Sequence, residues 1–124
     1  MTIRVLIAED DDLIAPGLKR TVSRWGCDVT IIARAEDHPT PARSEEYDLV
    51  VADIWLAGSE TGLELVRRMR RGGSTARFVL MSGTIEGVSD EPATTFLNKP
   101  FHISVLKTII DEVIKEKSDA SEEE

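Results

Sequence analysis

Strand-like and helix-like periods alternate five times along this chain, and that alternation leaves few folds open. Short apolar runs rich in β-branched residues, separated by helix-length stretches, mark a parallel sheet covered on both faces. Parallel strands need crossover connections, and the crossover helices bury the sheet between them. Three of the runs end in polar, mostly charged groups: Val5-Leu6-Ile7-Ala8 leads into Glu9-Asp10, Leu49-Val50-Val51-Ala52 into Asp53, and Thr94-Thr95-Phe96-Leu97-Asn98 into Lys99-Pro100. Open parallel sheets place ligands beyond the carboxyl ends of their strands. Three acids and a lysine are therefore expected to meet at one sheet edge.

Two like charges about 4 Å apart repel by roughly 4 kcal/mol at an effective dielectric near 20, so such a cluster recruits a cation or holds protons. Oxygen donors alone suit a hard divalent ion, Mg²⁺ or Mn²⁺. A single acid after a strand is weak evidence, because Asp there is commonly a helix cap. The joint order of these acids is far more specific.

The first strand is read over residues 3–8. Ile14, Leu18 and Val22 then recur every four residues, the stripe of a core-facing helix. Pro16 sits in its first turn, where a missing N–H matters least, Gly26 stops it, and Asp11 and Asp12 are read as its caps. Residues 28–33 form the second strand. Residues 34–46 carry Pro39 and Pro41 and no large apolar side chain, so at most a short, irregular second helix is expected. Leu49–Asp53 reads as the third strand and Gly62–Arg71 as a helix with Leu65, Val66 and Met69 inward; its last turns are crowded with arginines, which favour the negative end of the helix dipole. Residues 78–81 make the fourth strand and 94–97 the fifth, with a last helix over 103–115. Between Ser82 and Lys99, residues 83–93 have neither a helical stripe nor good helix formers. Cys27 reads as a small buried hydrophobe, and His38 and His102 as solvent-facing.

In this order the chain resembles the receiver domain of two-component response regulators. The resemblance covers residues 3–115 and rests on Glu9-Asp10, on Asp53-Ile54-Trp55-Leu56 and the loop to Gly62-Leu63-Glu64-Leu65, on Val79-Leu80-Met81-Ser82-Gly83, and on Lys99-Pro100-Phe101. It implies that Asp53 is the phosphoacceptor and that Glu9, Asp10 and Asp53 hold Mg²⁺ with the backbone carbonyl of Trp55. It further implies that Lys99 binds phosphate, that Ser82 is the hydroxyl switch residue and Phe96 the aromatic one, and that Lys99-Pro100 is a candidate cis peptide. Against the family pattern, Phe96 lacks a tyrosine hydroxyl, Ala57 stands where proline is frequent, and the fourth-helix region is short by more than a turn. Helix four is therefore expected to be stunted or absent.

The implied fold is α/β, a doubly wound five-stranded parallel sheet of order 2-1-3-4-5, the flavodoxin-like receiver fold, with the first and last helices on one face and the second and third on the other. At 124 residues the chain has room for one domain, read as residues 1–117 with a disordered acidic tail over 118–124, and not for a DNA-binding module beside it. A net charge of −8 and 5% aromatics argue against nucleic acid as a direct partner. No apolar run approaches the about 18 residues of a membrane span and no signal-peptide pattern opens the chain, so a cytoplasmic protein is expected.

The implied function is Mg²⁺-dependent acceptance of a phosphoryl group on Asp53 from a sensor histidine kinase or histidine phosphotransfer protein. Output follows by contact with a downstream protein or by phosphate relay, without enzymatic turnover. Two alternatives stay open: a receiver-like interaction module that works without phosphorylation, and a small phosphatase of the haloacid-dehalogenase type. For the latter, Asp10-x-Asp12 would supply the nucleophile Asp10, although that family needs a larger chain.

Overall fold

The computed structural model describes residues 2–38, 47–83 and 91–122. Along the chain run β1 (Arg4–Ala8), α1 (Ala15–Arg24), β2 (Asp28–Ile32), a 3₁₀ turn (Ala35–Asp37), β3 (Leu49–Asp53), α2 (Gly62–Arg71), β4 (Arg77–Ser82), β5 (Thr94–Asn98) and α3 (Ile103–Glu122). All five strands are parallel, in the order β2-β1-β3-β4-β5, as expected from the sequence.

Side-chain parity explains the two cores. Val5 and Ile7, Leu49 and Val51, and Val79 and Met81 point to the face covered by Leu18 and Val22 of α1 and by Leu106, Ile109, Ile110 and Val113 of α3. Leu6 and Ala8, Val50 and Ala52, and Phe78 and Leu80 point to the other face, under Leu65, Val66 and Met69 of α2 and Ala35 of the 3₁₀ turn. A strand such as β3, apolar from Leu49 to Ala52, is thus buried on both sides. β2, at the sheet edge, alternates instead, with Asp28 and Thr30 exposed. Truncating a fully buried residue such as Leu65 or Leu106 to alanine removes about 2–5 kcal/mol.

α2 forms because Thr61 and Glu64 close a reciprocal capping box and its apolar stripe meets the sheet. α1 carries Pro16 in its first turn and stops at Gly26, whose φ of +88° lies in the left-handed region. Its expected caps are offset: Ile14 is the N-cap residue, and Asp11 Oδ1 instead accepts the N–H groups of Leu13 and Ile14 in the preceding turn, at 2.8 and 3.4 Å. Because the helix begins after Ile14, that side chain is 39% exposed at the rim rather than in the core.

Two other readings are corrected. His38, expected in solvent, is 3% exposed: the chain turns inward after the 3₁₀ turn, which sets its ring 5.8 Å from that of Tyr47 and its carbonyl 2.7 Å from Arg68 Nη1. α3 does not end at Lys115 but continues to Glu122, through most of the segment expected to be a disordered tail. No Gly or Pro interrupts it, and Lys117 Nζ ties its last turns to Asp48 Oδ2 at 3.1 Å and to the Thr2 carbonyl at 3.3 Å. Residues 123 and 124 lie outside the described residues. Of the expected irregular second helix, the 3₁₀ turn is described and residues 39–46 are not. The expectation of a stunted or absent fourth helix falls mostly on residues 84–90, which also lie outside the described residues.

Candidate functional site

The β-ladder carries each site residue to the same edge. Ala8 pairs with Ala52, Asp53 with Met81, and Ser82 with Asn98, so the chain leaves β1, β3, β4 and β5 at adjacent points. Hydrogen bonds just past the strand ends extend the ladder: Glu9 N–H donates to the Ile32 carbonyl at 3.0 Å, Ile54 N–H to Met81 at 2.9 Å, and Lys99 N–H to Ser82 at 2.8 Å. Backbone pairing, rather than loop freedom, therefore places Glu9 and Lys99.

Lys99 Nζ donates to Asp53 Oδ2 at 2.7 Å and to Glu9 Oε2 at 2.8 Å. The other oxygen of each acid is held by a backbone amide, Asp53 Oδ1 by Trp55 N–H at 3.0 Å and Glu9 Oε1 by Asp11 N–H at 3.2 Å. Asp10, the most open of the three acids, accepts the Ala57 N–H on Oδ2 at 2.9 Å. One oxygen from each of Glu9, Asp10 and Asp53 lies within 4.8 Å of the others. Three negative charges against one ammonium leave an excess that a divalent cation would balance. An all-oxygen donor set at this spacing fits Mg²⁺.

The electrostatics follow the burial. Desolvation pushes the Glu9 carboxyl above its ordinary value and the Asp53 charge adds to this, while the hydrogen bond and charge of Lys99 work against it. Burial alone would lower Lys99, but the hydrogen bonds and charges of Asp53 and Glu9 outweigh it and hold the ammonium above the usual lysine range.

Ser82 is buried at the end of β4. Phe96 lies opposite Leu80 on β5 and packs on the α2 side, the face that parity also gives Ser82. The Lys99-Pro100 peptide is cis. Trp55 stands at the rim, 60% exposed, and His102 is exposed.

The loop from Asp53 to α2 is fastened by residues that sequence reasoning passed over. Glu36 Oε2 accepts from Ser59 N–H at 3.1 Å and from its hydroxyl at 3.3 Å. Arg68 grips Glu60 with Nε and Nη2 at 3.0 and 2.8 Å, and its guanidinium also donates to the carbonyls of Ala35 and His38. At Gly62 the chain passes so close to the strand end that a Cβ would collide with the Asp53 carbonyl. Of these residues, Gly62 is read in the sequence only as the start of the helix, and Arg68 only as one of the arginines in its last turns.

The model of the response regulator receiver domain matches residues 5–111, most of the chain. The chain belongs to the response regulator receiver family. The receiver is 33% identical over 112 residues to the transcriptional regulatory protein TctD of Salmonella typhimurium, covering 84% of this chain and 48% of TctD. It is 29% identical over 125 residues to the transcriptional regulatory protein YkoG of Bacillus subtilis, covering 96% of this chain and 54% of YkoG. It thus spans about half the length of these curated relatives. Among solved structures, the receiver domain of the hybrid histidine kinase CckA is 27% identical with a TM-score of 0.74, covering 89% of this chain and 97% of that one. The response regulator TrrA of Thermotoga maritima, solved in complex with Mg²⁺-BeF, is 25% identical with a TM-score of 0.77, covering 90% and 98%. As a receiver domain of two-component systems the chain is a signalling module rather than a turnover enzyme, and its acid cluster is typical of the receiver Mg²⁺ site. No described helix is long and apolar enough to cross a membrane.

Proposed function

We propose that Asp53 accepts a phosphoryl group from a phosphohistidine on a sensor histidine kinase or a histidine phosphotransfer protein. The observation that carries this reading is the contact of Asp53 Oδ2 with Lys99 Nζ at 2.7 Å inside a three-acid cluster at the carboxyl edge of the sheet. An Asp53 oxygen attacks phosphorus, the P–N bond breaks, its electron pair leaves with the imidazole nitrogen, and an acyl phosphate forms. Glu9, Asp10, Asp53 and the Trp55 carbonyl would hold Mg²⁺ or Mn²⁺. When bound, the ion offsets charge on the phosphoryl oxygens. Lys99 exchanges part of its contact with Asp53 for a phosphoryl oxygen and so keeps its ion pairing through the transfer.

Output follows from an altered surface. A phosphoryl group adds nearly two negative charges, and the conformational equilibrium moves only if one state binds it better. Ser82 supplies the hydroxyl for that state, and Phe96, on the same face one strand away, takes up the space left when the β4 end shifts. The receiver works in the cytoplasm and passes the signal to a downstream protein. Incubation with Mg²⁺ and acetyl phosphate followed by intact mass measurement tests the reading: a gain of one phosphoryl group in wild type, absent in Asp53→Asn, is expected. An unmodified wild type that still binds its partner would favour an interaction module that needs no phosphorylation.

A further inference from the structure

We propose that Glu36 is a positioning residue for the acid cluster, acting through the loop after Asp53 to hold the Ala57 N–H against Asp10. The inference rests on the reading of Asp10 as a metal ligand. Asp10 is the most open of the three acids, so packing does little to orient it, and the Ala57 N–H on Oδ2 at 2.9 Å is the contact that fixes its carboxylate. A single amide can orient a carboxylate only if the amide is itself held. Two residues further on, Ser59 presents both its N–H and its hydroxyl to Glu36 Oε2.

The loop is shaped to admit that carboxylate. Gly58 has a φ of +102°, a left-handed value that side chains other than glycine adopt at a cost, and a Cβ there would lie 2.5 and 2.8 Å from the two Glu36 oxygens. The 3₁₀ turn that carries Glu36 is in turn gripped by Arg68, which donates to the Ala35 and His38 carbonyls while pairing with Glu60 in the same loop. Turn and loop are thereby clasped twice by charge-assisted bonds, and Ala57 lies on the side nearer Asp53. The hydrogen bond from the Ser59 N–H also holds the Glu36 carboxyl below its usual range. Glu36 is exposed, and exposed polar clasps add little to global stability, so its effect falls on Asp10 rather than on folding. Proline, frequent in the family at position 57, has no N–H to offer. Alanine makes this path possible.

The test compares wild type, Glu36→Ala, Glu36→Gln and Ala57→Pro. It reads amide hydrogen exchange without metal, Mn²⁺ affinity by calorimetry, and the thermal midpoint. In Glu36→Ala the Ala57 amide is expected to exchange faster and Mn²⁺ affinity to fall about tenfold, the lower end for loss of a group that orients a ligand, with the midpoint near wild type. Glu36→Gln keeps an acceptor for the Ser59 N–H and should retain most of the affinity, whereas Ala57→Pro, which removes the donor itself, should fall about as far as Glu36→Ala while the Ser59 amide stays protected. Unchanged Ala57 exchange in Glu36→Ala, or Mn²⁺ affinity equal to wild type in Glu36→Ala or Ala57→Pro, would overturn the proposal. So would equal losses in the Ala and Gln variants, which would mark a purely structural role. Absence of Mn²⁺ binding in wild type would refute the metal reading instead, and Ala57 exchange would still decide the role of Glu36.

Discussion

Lys99 Nζ sits 2.7 Å from Asp53 Oδ2 and 2.8 Å from Glu9 Oε2, so one ammonium serves two carboxylates whose remaining oxygens are held by backbone amides. The site is therefore built in advance with one cation where its charge calls for more. Lys99 neutralises the cluster when no other cation is present and competes with any ion that binds there. Replacing it with methionine removes a positive charge next to two carboxylate oxygens of the cluster. Divalent affinity in Lys99→Met should rise about three- to tenfold, in line with roughly 1 kcal/mol of relieved repulsion at high effective dielectric. Calorimetric titration with Mg²⁺ measures it, and weaker binding in the variant would mean that Lys99 orients the acids more than it opposes the ion.

The same pair predicts an alkaline limb in stability. The folded Lys99 holds its proton above the usual lysine range because of Asp53 and Glu9. A group raised in the folded state contributes stability that is fully present below its unfolded value and is lost as pH rises through its folded value. Wild type should thus lose stability from about pH 10.4 upward more steeply than Lys99→Met. Urea midpoints across that range give the comparison, and parallel curves would contradict the pairing.

The approach to α2 offers two separable tests. Thr61→Ala opens the capping box and should cost about 1 kcal/mol, or about 4 °C in the thermal midpoint, with little effect on phosphoryl acceptance.

Gly62→Ala should behave differently. Its Cβ would press on the Asp53 carbonyl, so the variant should lose about 1–3 kcal/mol and also label poorly with acetyl phosphate, because the backbone of Asp53 must move. Normal labelling together with wild-type stability in Gly62→Ala would show that the loop relaxes away from the strand end.

A fifth test concerns the approach to β5. Glu91, with a side chain 10% exposed, is held by both Arg67 and Arg70 of α2, and Arg70 also reaches the Ala93 carbonyl and lies 4.7 Å from the Phe78 ring. Glu91→Ala leaves Arg70 without its carboxylate partner and should speed amide exchange over residues 93–96, including Phe96. Exchange unchanged there would mean that Arg70 holds the segment through the Ala93 carbonyl and the Thr94 hydroxyl without help from Glu91.

What was legible in the sequence was what depends on local period and order. The alternation of Val5, Leu6 and Ile7, or of Leu49, Val50 and Val51, carries both cores, because central parallel strands are apolar on both faces. Glu9, Asp10, Asp53 and Lys99 were legible because strand ends converge in such a sheet. Contacts between distant residues were not. The Glu36–Ser59 clasp joins positions 23 apart, and the Lys117–Asp48 bond that steadies the end of α3 joins positions 69 apart. His38 is buried by Tyr47 and Arg68, which nothing in its own polar, proline-flanked neighbourhood announces. Ile14 kept the helical period but fell before the first helical residue, where the period no longer dictates burial.

The most direct measurement of the central claim is chemical trapping of the acyl phosphate. Borohydride reduces an aspartyl phosphate to homoserine, and peptide mass mapping then locates the modified residue. After treatment with Mg²⁺ and acetyl phosphate, the account predicts homoserine at position 53 and at no other aspartate, with the signal lost when Mg²⁺ is withheld. Homoserine at position 10, or none at all, would contradict it.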